Sequence, residues 1–537
     1  MNSTVLTACS DGMSCTLIQV ESSYLKGFTG IQLIGNVTDV CRHGVERAKA
    51  ALEAFGHPPP QRKVILNLAP ADLKKDGSQF DLAFGVNLAL LTTELRSQLD
   101  LSRWLFVAEL GLDGRLRDVK NIVSFAIEAK RSGLEGIVTA KENALDLLAL
   151  SSIPSSPLRD LKIYWFETIH EVLLWLQNPS ESLFSSNLSP VVPLRRISSG
   201  ADHQTNFDDM VLTDDLKTLA MTIACGMHSL MLYGCPGTGK SMFSERISSI
   251  FPDLPDKLHL EVLKIHSSAA SRLSQELLSG RPPYRAPHHQ ASAAAVIGVP
   301  ESPGEASLAH GGILFLDEIP EFRRDILEAL REPLETGEIR VSRAKGKMTW
   351  RSDMTLIAAC NLCPCGWYSS IKRSCHCPTG KIIHYRKKLS GPVLDRVDLH
   401  INMEESGSKG HTPFLKGFCD PQKKSSQTAE MKDQVARATK AAVKRNARFG
   451  VYYNSRLKPS DLGQASGLGA EELEQKLADI ISVNASQRSV IRTIRVARSI
   501  ADLRLAKTIT TDDLKLAWSW QSEPSARQRG DQALGLI

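Results

Sequence analysis

An uninterrupted phosphate-binding pattern, G-x-x-x-x-G-K-S, occupies residues 234–241 of this chain. The apolar segment 229–233 before it predicts a buried strand, and the residues from 242 onward predict the start of a helix. In that context backbone N–H groups surround phosphate oxygens, and the positive end of the helix dipole strengthens the binding. A chance glycine-rich turn is the alternative, but the Lys-Ser pair and both flanks argue against it. The pattern therefore predicts an α/β fold that binds a nucleoside triphosphate.

The residues of this loop have predicted roles in binding ATP and Mg²⁺. The Lys240 ammonium would reach the β- and γ-phosphates, and the Ser241 hydroxyl would hold Mg²⁺. The glycines allow the backbone to approach the phosphates closely. The predicted contacts are Gly234, Pro236, Gly237, Thr238, Gly239, Lys240 and Ser241.

Two further apolar segments end in polar residues that could complete an ATPase. Residues 312–316 are followed by Asp317 and Glu318, and the segment 355–360 is followed by Asn361. Buried parallel strands deliver such side chains at their carboxyl ends. Asp317 would hold Mg²⁺, Glu318 would polarise the attacking water, and Asn361 would contact the γ-phosphate or that water. Alone, Asp317 and Glu318 would fit a core strand followed by a solvated acidic turn better, but the upstream phosphate loop reverses that preference in favour of catalysis.

Two arginines are candidates for contacts with the γ-phosphate. Arg396 lies in a short charged segment, and an arginine supplied across a subunit boundary stabilises charge on the transferred phosphoryl group. A surface salt bridge is the simpler alternative for Arg396. Arg488 begins a predicted helix over residues 487–503, and Arg492 is a competing candidate one turn later.

The length, composition and net charge of the chain limit the class of protein. The chain has 537 residues, 42% of them apolar, and a net charge of +6, which permits a polyanionic partner. No run of 18 apolar residues exists, and the N-terminus lacks a basic region, so neither a membrane span nor a secretion signal is expected. Four of the 11 cysteines lie within residues 363–377, which favours a cytoplasmic protein with a metal site over a disulfide framework.

Composition and patterning divide the chain into several regions. Alternating strand and helix patterns near the front predict an α/β or α+β domain. A stretch rich in Ser, Pro and Asn predicts a linker, and helical patterning dominates residues 428–520. The predicted regions are a first domain at 1–177, a linker at 178–206, an α/β core at 207–403, a flexible connection at 404–427, a helical domain at 428–520 and a tail at 521–537.

Several longer motifs resemble one family of ATPases. Residues 285–289 (RAPHH), 303–310 (PGEASLAH) and 327–335 (LEALREPLE) look like the magnesium-chelatase-like AAA+ ATPases. Residues 67–73 (NLAPADL) and 363–366 (CPCG) are similar to its YifB/ComM group, and the likeness extends from about residue 5 to 520. Two departures stand out, Cys235 where the family often has proline and residues 211–213 (VLT) near the adenine.

The resemblance carries expectations about architecture and activity. It implies an N-terminal domain like the Lon protease domain (ribosomal S5 domain 2-like), an AAA+ P-loop core and a C-terminal helical lid. It also implies a homo-hexameric ring with ATP at subunit junctions. The implied activity is a DNA-stimulated ATPase, a helicase that drives branch migration during recombination of transforming DNA, with recombination proteins as partners.

Proteolysis by the first domain is not expected. A Lon-type enzyme needs a serine nucleophile and a lysine base. Ser78 lies near the serine region, but Val123 stands where the lysine is expected, and Lys120 comes three residues too early. We therefore predict a non-proteolytic relative.

A predicted β-hairpin at residues 338–350 is a candidate DNA contact. In the AAA+ group that the chain resembles, a hairpin precedes the strand that here ends at Asn361, and it points into the pore of the ring. Cations near the tip, at Arg343, Lys345 and Lys347, would grip phosphates without reading sequence. The simpler alternative is a solvated hairpin whose lysines keep it soluble. A second candidate is the segment 281–302, with Arg281, Tyr284, Arg285, His288 and His289.

Two close cysteine pairs, Cys363-x-Cys365 and Cys375-x-Cys377, predict a structural zinc site. The one-residue gaps are tighter than the usual C-x₂-C spacing, and Cys360 and His376 are alternative ligands. Four reduced cysteines in an ordered loop, or a redox switch, would also fit the pattern.

Two other functions remain as alternatives to a DNA motor. A chelatase-type AAA+ remodelling subunit would act on a partner for metal insertion, but no Asp-x-Ser-x-Ser motif is present. A protein unfoldase or regulator coupled to proteolysis is disfavoured by the missing serine–lysine pair.

Overall fold

The computed structural model separates the chain into two compact units. The first comprises Met1–Ser198 and Asp256–Ser279, and the second comprises Ser199–Pro255 and Gly280–Ile537. The predicted linker, connection and tail fall largely outside the described residues. The structure describes residues 3–12, 14–58, 61–92, 97–153, 156–179, 205–210, 212–343, 346–368, 370, 373–389, 391–403, 426–481 and 485–521.

A mixed sheet forms the centre of the first unit. Its seven strands follow the order β3-β4-β2-β1-β5-β8-β9, with β2 antiparallel to both neighbours and the other pairs parallel. A short antiparallel pair, β6 and β7, accompanies the sheet. The strands of this unit are β1 Ser3–Asp11, β2 Ser14–Leu25, β3 Gly30–Ile34, β4 Lys63–Ala69, β5 Trp104–Val107, β6 Glu109–Leu110, β7 Leu116–Arg117, β8 Gly136–Ala140 and β9 Lys162–Phe166.

Two hydrophobic cores cover the two faces of this sheet. Successive side chains of a strand point to opposite faces, and β1 accordingly places Val5 in one core and Leu6 in the other. The mixture of strands and helices predicted for the front of the chain is present in this unit. The helices of this unit are Asp39–Glu53, Asp81–Thr92, Ile122–Arg131, Lys141–Ser151, Ile169–Gln177, Asp256–Ala269 and Gln275–Leu278.

The last two of these helices come from residues that the sequence analysis assigns to the α/β core. Leu263 is fully buried in the second hydrophobic core of the first unit. The Asn121 N–H donates to the Ser267 carbonyl at 2.6 Å, and Arg272 pairs with Glu142 at 3.1 Å. Apolar burial and these polar contacts therefore tie the segment 256–279 to the first unit.

A five-stranded parallel sheet forms the centre of the second unit, with the order β11-β14-β17-β10-β18. Every residue of β10, β14 and β17 is buried, which is typical of parallel strands covered on both faces. The predicted mixed α/β class is confirmed. The strands of this unit are β10 Leu230–Gly234, β11 Tyr284–Arg285, β12 Gly298–Val299, β13 Ser302–Pro303, β14 Ile313–Leu316, β15 Glu338–Arg343, β16 Gly346–Arg351, β17 Thr355–Cys360 and β18 Leu399–Met403.

The helices of the second unit include the predicted C-terminal group. The helix predicted over 487–503 has those bounds in the structure. Within the described ranges, every helix is too short or too polar to cross a lipid bilayer. The helices are Asp214–Gly226, Lys240–Arg246, Ala293–Ile297, Glu305–Leu308, Arg324–Ala329, Arg331–Thr336, Thr379–Lys387, Gly391–Leu394, Gln427–Asn446, Leu462–Ser466, Ala470–Ala478, Gln487–Leu503 and Thr511–Ser519.

A buried polar network holds the helix Gln487–Leu503 in the second unit. His228, just before β10, shares a 2.8 Å hydrogen bond with the Ser499 hydroxyl. Arg445 donates to the Asp502 carboxylate at 2.5 Å, and Asn454 donates to it at 2.8 Å. Because removing one member of such a network leaves a buried charge or polar group unpaired, it fixes where this helix sits.

Candidate active site

Three neighbouring strands end at the same edge of the parallel sheet, and each is followed by candidate catalytic residues. Strand β10 leads into the phosphate loop, β14 into Asp317, and β17 into Asn361. Tyr233 and Cys360 are register partners near the ends of β10 and β17. The carboxyl ends of the strands therefore gather the predicted ATPase residues, as expected for ligand sites of open α/β sheets.

The phosphate loop owes its shape to three glycines. Gly237 and Gly239 have φ angles of 79° and 89°, which only glycine adopts readily. A Cβ at Gly234 would lie 2.6 Å from the Met403 carbonyl oxygen, so a larger residue would disrupt the contact with β18. Gly239 is followed directly by the helix Lys240–Arg246, and the loop therefore opens a helix N-terminus. Cys235, the first residue after Gly234 in this loop, is buried.

Lys240 links the phosphate loop to the neighbouring strand. Its ammonium donates to the carbonyls of Gly234 at 2.8 Å and Cys235 at 2.9 Å, and to Asn361 Oδ1 at 3.2 Å. Burial lowers the pKa of the Lys240 ammonium. The structure thus brings together Lys240, the predicted phosphate-binding cation, and Asn361, the side chain predicted to contact the γ-phosphate or the attacking water.

Ser241 and Asp317 form the candidate magnesium site. The Ser241 hydroxyl donates to Asp317 Oδ2 at 2.7 Å, and the Glu318 N–H donates to Asp317 Oδ1 at 2.9 Å. A hydroxyl, a carboxylate and phosphate oxygens are the ligands that Mg²⁺ takes in nucleotide sites. Glu318 has a φ of 50°, in the left-handed region, and its side chain is exposed.

Arg396 and Arg488 meet at one acidic residue that the sequence analysis did not single out. Arg396 pairs with Glu335 at 2.5 Å, and Arg488 lies 3.7 Å from the other oxygen of the same carboxylate. The hydrogen bond from Arg396 holds the pKa of Glu335 below its usual range. Glu335 is the last residue of the motif 327–335, which indicated the family but no role for this residue. Its neighbours in sequence do not reveal that it contacts two arginines that are distant in sequence.

The paired arginines line a cleft of about 580 Å³ in the second unit. Arg456 and Lys458 also line it, and Arg456 pairs there with Asp353. Within the described chain, the lining of this cleft includes no residue of the phosphate loop. Arg492, the competing candidate, also lines it, but its guanidinium donates to the Val397 carbonyl at 2.5 Å. Arg396 and Arg488 therefore line one cleft, and neither Lys240 nor Asp317 is among the described residues that line it.

The predicted hairpin is present as β15 and β16, which pair antiparallel from Glu338↔Arg351 to Arg343↔Gly346. Its inward residues, among them Trp350, are buried, and the Trp350 indole donates to the Val299 carbonyl at 3.1 Å. Near the base, Arg351 pairs with Glu338 at 3.0 Å. Lys347 is exposed, and no acidic group of the described residues lies within ion-pair distance of it.

The side chains of the other two predicted hairpin contacts lie beyond what the structure describes, and the second candidate segment contains an arginine that is already paired. Lys345 lies outside the described residues, and of Arg343 the structure describes only the backbone. In the second candidate segment, the Arg285 guanidinium donates to both oxygens of Glu305, at 2.5 and 2.7 Å. Arg285 thus joins two of the family motifs, and its charge is already neutralised within the chain.

The four predicted zinc ligands converge in the structure. The Sγ atoms of Cys363, Cys365, Cys375 and Cys377 all lie within 4.8 Å of one another. Among the described residues, neither Cys360 nor His376 belongs to this group. Both alternative ligands are therefore disfavoured, because the two C-x-C pairs already bring four sulfurs together.

The first unit offers no lysine at the position that a Lon-type base would occupy. Val123 is fully buried in the helix Ile122–Arg131, and Lys120 is exposed just before that helix. The non-proteolytic interpretation stays a prediction.

Comparison with known protein families matches most of the chain. The models described as "Magnesium chelatase, subunit ChlI", "Subunit ChlI of Mg-chelatase" and "Magnesium chelatase, subunit ChlI C-terminal" match residues 207–410, 20–143 and 425–521. A Lon protease of Haemophilus influenzae is 24% identical over 202 residues, 35% of this chain and 24% of that protein. The Lon similarity is therefore partial.

Two relatives match over nearly their full length. The competence protein ComM of Haemophilus influenzae is 30% identical over 513 residues, 93% of both chains. The protein YifB of Escherichia coli is 32% identical over 525 residues, 97% of both chains. With the three domain matches, this similarity shows that the chain belongs to the magnesium-chelatase-like ComM/YifB family.

Proposed function

We propose that this protein is an ATP-driven DNA motor, a hexameric AAA+ branch-migration helicase that acts in recombination of transforming DNA. The contacts of Lys240 with Asn361 and of Ser241 with Asp317 carry the ATPase part of the proposal. The DNA part is supported by the similarity to ComM, a competence protein, and by the exposed hairpin cation.

ATP cleavage follows from the positions of these side chains. Lys240 would bind the β- and γ-phosphates, and Ser241 with Asp317 would hold Mg²⁺, which when bound would neutralise the phosphate charge that develops during transfer. The exposed Glu318 carboxylate accepts a proton from the attacking water. Asn361 orients the γ-phosphate or that water from the end of β17. Each group lies at the same sheet edge, so positioning supplies much of the rate.

The arginine cleft supports an ATP site shared between subunits. Arg396 and Arg488 are held by one carboxylate on a surface whose described lining excludes the phosphate loop. An arginine that stabilises the transferred phosphoryl group must approach it, and a neighbouring subunit can deliver both residues at once. ATP cleavage would then be sensed by the subunit that donates the arginines.

Replacing Arg396 by alanine is expected to lower the ATPase rate by roughly 10³-fold, because arginine fingers contribute about that much or more. Mixing Arg396→Ala subunits with Lys240→Ala subunits should restore part of the activity, since mixed junctions combine an intact loop with an intact arginine. Steady-state ATPase assays over a series of mixing ratios measure this. Arg324→Ala, at an arginine that is 85% exposed, is the matched control and should behave like wild type. Mixtures no more active than the sum of their components would contradict the shared site.

Replacing Lys347 by alanine should weaken DNA binding to a similar degree for unrelated sequences, because a lysine that meets a phosphate reads no base. The plot of log affinity against log salt should become shallower by about one unit of slope, the effect of removing a single cation from the phosphate backbone. Fluorescence anisotropy at several salt concentrations measures both effects. Arg351→Ala, on the same strand but paired with Glu338, is the control and should change the slope little. An unchanged slope for Lys347→Ala would remove the hairpin from the DNA interface.

The ATPase rate with different effectors tests the proposed function as a whole. Single-stranded and branched duplex DNA should stimulate turnover, whereas unfolded protein should not. Stimulation by unfolded protein alone would overturn the DNA motor in favour of an unfoldase. No response to DNA, with no displacement of a labelled strand from a four-way junction, would equally contradict it.

A further inference from the structure

The cysteine cluster has the dimensions of a single-metal site. Cys363 Sγ lies 3.3 Å from Cys365 Sγ and 3.7 Å from Cys375 Sγ, and the latter two sulfurs are 3.6 Å apart. Four thiolates around one Zn²⁺ with bonds of about 2.3 Å would stand about 3.8 Å apart. A disulfide would need two sulfurs at about 2 Å. The measured separations therefore fit a shared ion and not a pair of disulfides.

The loop that carries the cysteines touches the phosphate loop. Gly366, one residue after Cys365, has a φ of 83°, and a Cβ there would lie 2.6 Å from Pro236 Cγ. The next-nearest group, at 3.8 Å, is the Asn361 side chain. Gly366 therefore lies close to both Pro236 of the phosphate loop and the side chain of Asn361.

The residues that follow the second cysteine pair contact the start of the same loop. The helix Thr379–Lys387 begins two residues after Cys377, and its Arg386 donates to the Leu362 carbonyl at 3.2 Å. Leu362 lies between Asn361 and Cys363. One metal ion would therefore join the two ends of the loop beside the position where Asn361 leaves β17.

We infer that Cys363, Cys365, Cys375 and Cys377 bind one zinc ion, and that this ion holds Gly366 against Pro236 and so positions the phosphate loop and Asn361. The coupling to ATP rests on the proposed function, whereas metal binding does not. A four-thiolate site has no open position, so the zinc is structural and takes no part in the chemistry. Removal of the zinc lets Gly366 move away from Pro236, and this weakens the hydrogen bond between Asn361 and Lys240.

Metal analysis of the purified full-length protein tests the first half of the inference. Mass spectrometry of the metals should find about one zinc per chain, and cobalt-substituted protein should show the visible absorption of tetrahedral thiolate coordination. The double variant Cys375→Ser/Cys377→Ser should lose the zinc, whereas Cys15→Ser, outside the cluster, should keep it. Protein that neither contains zinc nor takes it up when reduced and supplied with it would overturn the site, and so would iron in place of zinc.

The substitution Gly366→Ala separates the coupling from metal binding. It keeps all four thiols but places a Cβ against Pro236 and holds alanine at a φ of 83°, a conformation that glycine adopts more readily. Zinc should stay at about one per chain while the affinity for a fluorescent ATP analogue or the ATPase rate falls on the order of tenfold. Gly450→Ala is the matched control, because its φ of 72° imposes the same backbone strain and nothing lies within 4 Å of its Cβ. Wild-type nucleotide binding and turnover in folded Gly366→Ala protein would overturn the coupling. Zinc in a wild-type protein that hydrolyses no ATP would instead count against the proposed function alone.

Discussion

Replacing Glu318 by glutamine is expected to leave ATP binding intact and to slow hydrolysis by about 10²-fold or more, as for loss of a general base. Glutamine keeps the size of the side chain but cannot accept a proton from the attacking water. The Asp317 contacts with Ser241 and with the backbone N–H of residue 318 do not involve the Glu318 side chain. Magnesium and nucleotide should therefore still bind. Equilibrium binding of a fluorescent ATP analogue, together with single-turnover hydrolysis, separates the two steps.

A neighbouring carboxylate provides the control for this experiment. Glu321 lies three residues after Glu318 and forms a 3.6 Å ion pair with Lys388. Glu321→Gln should hydrolyse ATP at close to the wild-type rate, since exposed ion pairs contribute little. Normal turnover in Glu318→Gln would remove Glu318 from its proposed role, and slow turnover in both variants would indicate a general effect on the local structure.

Replacing Lys240 by alanine should lower ATP turnover on the order of 10³-fold, with a large decrease in nucleotide affinity, because it removes a preorganised cation from the phosphate site. The ammonium also joins the loop carbonyls of Gly234 and Cys235 to Asn361. Truncation therefore removes both the charge that meets the phosphates and the link between two strand ends. Isothermal titration with ATP and Mg²⁺ measures the affinity, and a steady-state ATPase assay measures the turnover.

Lys217→Ala is a suitable comparison for Lys240→Ala. Lys217 lies on the helix Asp214–Gly226 of the same unit and pairs with the exposed Asp214 at 3.7 Å. Its removal should leave both affinity and turnover near wild type. ATP binding of ordinary strength by a folded Lys240→Ala protein would contradict the assignment of residues 234–241 as the phosphate loop.

The strands and the phosphate loop were predictable because their signals are local. An apolar run of five residues, three glycines and a Lys-Ser pair all lie within one short stretch, and each depends on its neighbours in sequence. The same holds for β14 and β17, whose carboxyl ends were predicted to carry Asp317 and Asn361. Once strands are parallel, their carboxyl ends share one edge, so the gathering of these residues followed from the strand assignments.

Other features could not be read from local patterns. The segment 256–279 was assigned to the α/β core because no break in composition separates it from that region, yet its Leu263 is buried in a core of the first unit. Glu335 looks like any exposed glutamate on a helix, yet it bridges Arg396 and Arg488. The roles of these residues in catalysis, the Lon-like fold of the first unit and the hexamer stay predictions.

The sequence alone determined the local chemistry, namely where a phosphate can be bound, which strand ends carry carboxylate and amide groups, and which cysteines are spaced as paired ligands. The tertiary structure decided which of these groups lie together: Lys240 beside Asn361, Arg396 and Arg488 at one carboxylate, the two cysteine pairs beside each other, and Gly366 beside Pro236 of the phosphate loop. The reason is that spacing within a segment follows from the backbone geometry of that segment. Contacts between distant segments depend on how whole elements pack.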